Sequence, residues 1–272
     1  MLDYLYITND PAVARIAEKA GVNEIFVDLE KRGKEERQRG MNTVKSDHTV
    51  ADAAAIRESL TKARLLVRVN PLWEGSAGEI RDAIDAGADV IMLPYFKTVG
   101  EAERFLDLCG GSVGTRLLVE TTEAVENLDA ILSLPGIDGI HIGLNDLHLG
   151  LGRKFMFELL CDGTVERICD IARSRRVSFG IGGVASLGQG TLPAENILAE
   201  HYRLGSSRVI LSRSFCNIKE HTDPREIERI FVDGIGRMRV YENFLSRQDA
   251  VFFEKNRVET ARIVRRISEG MK

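Results

Sequence analysis

The sequence predicts an α/β fold, a (β/α)8 TIM barrel with extra C-terminal helices, on three observations. Eight short apolar runs alternate with longer segments of helical period. The runs are rich in leucine and β-branched residues with little polar alternation, as strands buried on both faces are. The length of 272 residues is large for an ordinary domain but normal for one such barrel. A doubly wound open sheet is the alternative; the length and the even count of runs weigh against it.

The first strand is "LDYLYI" (2–7), followed by the helix "PAVARIAEKAG" (11–21), which stops on Gly21. Strand two is "EIFVDLE" (24–30). A long charged loop, "EKRGKEERQRGMNTVKSDH" (30–48), leads to the helical "TVADAAAIRESLTKA" (49–63), with apolar spacings of three and four. Strand three, "RLLVRVN" (64–70), precedes "SAGEIRDAIDAGA" (76–88). Strand four, "DVIMLPYF" (89–96), precedes "TVGEAERFLDLCGG" (98–111), whose threonine can cap it. Strands five, "RLLVETT" (116–122), and six, "GIHIGLN" (139–145), flank "EAVENLDAILSL" (123–134). "TVERICDIARSRR" (164–176), strand seven "VSFGIGG" (177–183), "LPAENILAEHYRLG" (192–205) and strand eight "RVILSRSF" (208–215) complete the set. The barrel domain is assigned to 1–222. Residues 223–272 form a helical extension that packs on the barrel or on a neighbouring subunit; Phe244, Val251, Phe252 and Phe253 give it more apolar surface than a lone surface helix needs, which favours subunit contact.

A formal net charge of −4 argues against a nucleic-acid partner. No apolar run is long enough to span a bilayer, and "MLDYLYITND" is not a secretory signal. Cys109, Cys161, Cys169 and Cys216 form no C-x-x-C pair and read as buried free thiols of a cytoplasmic protein.

In such barrels chemistry gathers at the C-terminal ends of the strands. Those ends carry Asp28 and Glu30 on strand two, Arg68 and Asn70 on strand three, Pro94 on strand four, Glu120 on strand five, and Asn145, Asp146 and His148 after strand six. Glu120 and Asp146 lie on neighbouring strands, where two close carboxylates repel unless a cation sits between them. All-oxygen ligands with open positions suit Mg2+ or Mn2+. The plainer reading makes Glu120 a helix cap and Asp146 a turn former. Arg68 interrupts an apolar strand, so its guanidinium needs an anion: Asp28 or Glu30, a substrate carboxylate or enolate, or both. Gly143 at the strand exit lets backbone N–H groups approach a ligand, placing Gly143, Leu144 and Asn145 with Pro94 among substrate-binding candidates.

"VETTEAVENLDAIL…GIDGIHIGLNDLHLGLG" and "AGADVIMLPYFKTVGEAE" resemble the HpcH/HpaI aldolase and citrate lyase beta subunit family of phosphoenolpyruvate/pyruvate barrels, over roughly residues 20 to 215. The resemblance implies a divalent metal on Glu120 and Asp146, an arginine at Arg68 and an acidic pair at Asp28 and Glu30. The sequence departs from the family's aldolases at Lys31, where a histidine is usual, at Leu118, where glutamine is common, and at Leu144 and His148. The general base is then His48, His148 or a water held by Asp28 or Glu30. The implied function is a class II aldolase that cleaves or forms 4-hydroxy-2-oxo acids through a pyruvate enolate, with oxo acid and aldehyde substrates, in a homo-oligomer, a trimer or hexamer. Alternatives are a citrate-lyase-like or acyl-CoA lyase, towards which "VDLE" and "VRVNPL" lean, and a barrel that binds a keto acid without turnover.

Overall fold

The structure is a computed structural model that describes residues 1–33, 46–218 and 220–271. Most of the charged loop after strand two therefore lies outside the described residues.

All eight apolar runs are strands: β1 Asp3–Ile7, β2 Glu24–Asp28, β3 Arg64–Arg68, β4 Val90–Leu93, β5 Gly114–Val119, β6 Gly139–Ile142, β7 Ser178–Val184 and β8 Arg208–Leu211. They pair in sequence order, all parallel, and β8 returns to β1 through Asp3 and Arg208, so the sheet is a closed barrel and not an open one. The ladder slips once, between Gly180 and Gly183 of β7, where Gly182 adopts a φ of +42°. A Cβ at Gly182 would stand 2.7 Å from Leu144, so the bulge brings β7 against the chain leaving β6.

The helices are α1 Pro11–Ala20, α2 Val50–Ser59, α3 Ser76–Asp85, α4 Val99–Cys109, α5 Thr122–Glu126, α6 Leu128–Ile131, α7 Leu144–Gly150, α8 Thr164–Ser174, α9 Ala194–Leu204, α10 Pro224–Leu245 and α11 Ala250–Gly270. Their starts are chemically marked. Asp10 accepts from the first amides of α1, and Thr49 and Thr98 form capping boxes with Asp52 and Glu101. Gly21 closes α1 at a φ of +105°, a conformation that L side chains rarely adopt.

Two apolar regions result from the alternation of each strand. Outward residues such as Ile25, Leu65, Ile91 and Leu117 meet the helices. Inward residues Phe26, Leu66, Val90, Met92 and Leu118, with Ile7 and Ile210, plug the barrel. The plug separates the polar groups at one end of the barrel from those at the other.

Both C-terminal helices lie on the chain's own barrel, α10 against α1 and α11 against α9. Glu242 of α10 is buried and accepts from Leu2 N, the Tyr4 and Tyr202 hydroxyls and Arg239, which clasps α10 to the first strand. The aromatic side chains of this segment pack on one another across the α10–α11 elbow: Tyr241 stacks on Phe244, while Phe244 meets Phe252, and Phe252 meets Phe253, edge to face. Their abundance is in part an internal need. All four cysteines are free, three of them buried. Among the described residues no helix is long and apolar enough to cross a membrane.

Candidate active site

Asp28 and Arg68 end β2 and β3 at the same register. Their side chains point inward and meet: Arg68 Nε donates to Asp28 Oδ1 at 2.9 Å and Nη2 to Oδ2 at 2.8 Å. Glu30 Oε2 lies 3.4 Å from the same Nη2. Both acids are about 2% exposed and the arginine 14%. Burial alone would lower the guanidinium's pKa; the charges of Asp28, Glu30 and, more weakly, Glu120 override it and hold the group well above its ordinary value. The pairing expected of Arg68 is therefore present, and the expected open fork is not. Two of its three nitrogens are committed to Asp28.

Glu120 follows β5 and is buried, 4% exposed. It does not cap the next helix; Thr121 does, through its hydroxyl. Glu120 Oε1 accepts from the backbone N–H of Tyr95 at 3.0 Å. Tyr95 reaches that position from a φ of +50°, a left-handed conformation rare for a large side chain. On the other side, a Cβ at Gly143 would meet Glu120 Cβ at 2.8 Å and Oε2 at 2.9 Å, so only glycine fits beside this carboxylate.

Asp146 lies in the first turn of α7, half-buried, and its carboxylate makes no hydrogen bond or ion pair among the described residues. It lines a cavity of about 310 Å3 together with Glu120, Tyr95 and Leu149. Lys97 and Glu123, paired at 2.8 Å, stand on the same wall. The two acids singled out in the sequence thus face one space at the C-terminal rim, and Arg68 is close enough to feel the charge of Glu120.

The other expectations fare differently. Gly143 cannot offer its N–H to a ligand, because that group donates to Val119 O at 2.9 Å in continuation of the β5–β6 ladder. Pro94 and Leu144 are buried, Asn145 is exposed, and none of them lines the cavity. What remains at this turn is the set of first-turn amides of Leu144, Asn145 and Asp146, which have no intrahelical acceptor. His48 is buried, and its Nδ1 accepts from Asp28 N at 3.0 Å. Through that bond His48 anchors the end of β2. His148 bonds back through Nδ1 to Leu144 O of its own helix. His141 faces the barrel interior, bonded to Gly182 O, and burial lowers its pKa to about 3. Lys31 pairs with Asp47, and Arg32 lies over the Trp73 ring. Asn70 accepts from the Lys31 and Arg32 amides and donates to Glu79, tying the loops after β2 and β3 together.

Tyr95, whose place near a strand end suits pocket shaping or rim packing, contributes its backbone N–H to the site. A tyrosine directly after "LP" carries no local signal for a left-handed backbone.

Comparisons with known proteins bear on the family and the fold. The profile of the family described as HpcH/HpaI aldolase/citrate lyase matches residues 4–180. A 4-hydroxy-4-methyl-2-oxoglutarate aldolase of Chaetomium globosum is 22% identical over 208 residues, 64% of this chain and 72% of that protein. A 2-keto-3-deoxy-L-rhamnonate aldolase of Salmonella gallinarum is 26% identical over 170 residues, 52% of this chain and 58% of that protein. Among solved structures, an HpcH/HpaI aldolase/citrate lyase family protein of Burkholderia cenocepacia superimposes with a TM-score of 0.64 at 17% identity, covering 83% of this chain and 94% of its own. An HpcH/HpaI aldolase of Desulfitobacterium hafniense gives 0.61 at 16% identity, covering 84% and 92%. With residues 4–180, well over half of its length, matched by the profile, the chain belongs to the HpcH/HpaI aldolase/citrate lyase family.

Proposed function

We propose that the protein is a metal-dependent carbon–carbon lyase of the class II aldolase type, cleaving or forming 4-hydroxy-2-oxo acids through a pyruvate enolate. The observation that carries this reading is the cavity shared by Glu120 and Asp146, which is unpaired among the described residues, with Arg68 within reach of the charge of Glu120. The aldolase activities named for the two relatives point the same way.

The donors suit a hard divalent ion, Mg2+ or Mn2+. They are carboxylate oxygens, and the cavity has room for water ligands. Among the described residues no cluster of three or more His, Cys, Asp and Glu gathers here or elsewhere, so Glu120 and Asp146 would hold the ion with water and substrate completing its shell. When bound, such an ion supplies Lewis-acid polarisation of the 2-oxo group.

The chain's own groups do the rest. The positive charge of Arg68, fixed in place by Asp28, stabilises the enolate oxygen as it gains charge. Asp28 has both oxygens committed to Arg68, and His48 has its acceptor nitrogen committed to Asp28. Glu30, more loosely tied to Arg68, acts through a water to take the proton from the 4-hydroxyl group. Breaking the C3–C4 bond then gives an aldehyde or ketone and the enolate, which is protonated to pyruvate.

The test is an assay of the purified protein with Mn2+ or Mg2+, pyruvate and a panel of aldehydes, with oxaloacetate and acyl-CoA esters alongside. Pyruvate should disappear only with an aldehyde and the metal present, and Glu120→Ala should abolish the reaction. Activity untouched by chelation or by that substitution would refute the proposal. Turnover confined to acyl-CoA esters or oxaloacetate would replace it with the citrate-lyase-like alternative.

A further inference from the structure

At the end of the barrel opposite Glu120 and Asp146, the inner wall is charged. Glu24 opens β2, Arg64 opens β3, Arg208 opens β8, and Arg116 lies on β5, all below the plug formed by Phe26, Leu66, Met92 and Leu118. Glu24 is fully buried. Arg116 donates to both of its oxygens and Arg64 to one of them. One carboxylate therefore already serves two guanidinium groups.

Arg208 stands outside this pairing. It is 9% exposed and Arg116 3%. Arg208 Nη2 donates to Ser178 Oγ at 2.8 Å, while its Nε and Nη1, and the Nε of Arg116, are buried and meet no acceptor. Asp3, register partner of Arg208 on β1, adds a favourable field but makes no ion pair with it among the described residues. Burial and the charge of Arg116 together lower the Arg208 pKa to about 10. The glycines of the facing strands yield their space to this group: a Cβ at Gly139 would stand 2.9 Å from Arg208 Nη1.

Water can satisfy the three nitrogens. It cannot neutralise the charge, because two deeply buried guanidinium groups have one buried carboxylate between them and Arg64 adds a third cation. A buried charge without a counter-charge is far more unfavourable than a hydrogen bond left to water. We propose that the N-terminal end of the barrel binds one small monovalent anion, a halide or a singly charged oxyanion, between Arg208 and Arg116, as a structural counter-ion on the far side of the plug from the catalytic rim.

Crystals grown without halide, soaked in sodium bromide and measured at the bromine absorption edge should show an anomalous peak within hydrogen-bonding distance of Arg208 and Arg116. In solution, thermal unfolding at constant ionic strength should be followed while sodium gluconate is exchanged for sodium bromide or sodium formate. The wild-type Tm should rise by roughly 3–5 °C at an anion concentration well above its Kd, and the anion giving the larger rise tells a halide site from an oxyanion site. Arg208→Met should lose that dependence while keeping the general salt response. If that variant does not fold, the bromide peak and the wild-type titration decide together. Ordered water in place of the ion, an equal anion response in both proteins, or a peak with no accompanying stabilisation (an adventitious ion only) would each overturn the proposal.

Discussion

The Tyr95 amide donates to Glu120 Oε1 at 3.0 Å from a backbone φ of +50°. A strained residue thus fixes one oxygen of the buried acid that the proposed metal site needs. Tyr95→Val places a β-branched side chain where the left-handed region is least tolerated, so the segment should relax and the bond should break. Tyr95→Gly keeps the conformation at no steric cost. The valine variant should bind Mn2+ about 10–100-fold more weakly, the range typical for losing an outer hydrogen bond to a ligand. The glycine variant should bind within a few-fold of wild type. Calorimetric Mn2+ titration separates them; equal affinities would show that the amide does not hold Glu120 in place.

Gly143 presses on the same acid from the other side. Gly143→Ala would put a methyl group 2.8–2.9 Å from Glu120 Cβ and Oε2. The glutamate must shift, so kcat/KM should fall at least 10-fold, with destabilisation of about 1–3 kcal/mol from overpacking. Full activity in a folded Gly143→Ala protein would mean that Glu120 has freedom the geometry denies it.

How far these features were legible depends on the range of the interaction that sets them. The eight strands could be read because each is buried on both faces and so written as a continuous apolar run. Glu120, Asp146 and Arg68 could be picked out because a charge at the end of such a run is a local anomaly. The left-handed turn at Tyr95, the commitment of the Gly143 N–H to Val119 and the bond from Asp28 N to His48 were not legible. Each is decided by a partner 20 or more residues away. Glu24, Arg116 and Arg208 were not legible for another reason: they start strands or sit early in them, where a charge beside a turn is no local anomaly.

His48 offers a test of role. Asparagine can present an oxygen near the place of His48 Nδ1 and accept from the Asp28 amide. If His48 is a strut, His48→Asn should keep kcat within about 10-fold, while Glu30→Gln should lower it by a factor of about 10²–10⁴. A collapse of kcat in His48→Asn at unchanged Tm would return the histidine to the role of base.

Arg68 is bound to stability as well as to catalysis. Arg68→Met removes the cation that pairs with Asp28 and Glu30, both about 2% exposed. Removing one partner of a buried ion pair leaves an uncompensated charge and costs about 3–5 kcal/mol. Urea unfolding should show a loss of that size, and Asp28→Asn in the Arg68→Met background should recover part of it. If the double variant is no more stable than the single one, the buried acids are not what destabilises Arg68→Met.

The buried histidines set a limit in acid. His141 and His201 are each about 1% exposed, and burial lowers both pKa values to about 3. In the unfolded chain they titrate near the ordinary value of about 6.5. Between these limits the unfolded state binds two more protons than the folded one, so stability is fully present above pH 6.5 and falls as the pH drops towards 3. Each histidine contributes a slope of up to about 1.4 kcal/mol per pH unit in that window. Carboxylates also titrate there, so the comparison must be made against a variant. His201→Asn retains a hydrogen-bonding partner for Ser206, whose hydroxyl lies 2.9 Å from His201 Nδ1. Its unfolding free energy should fall less steeply than that of wild type between pH 6.5 and 4.5, by about one proton's worth of slope. Parallel curves would mean that His201 already carries its proton in the folded barrel.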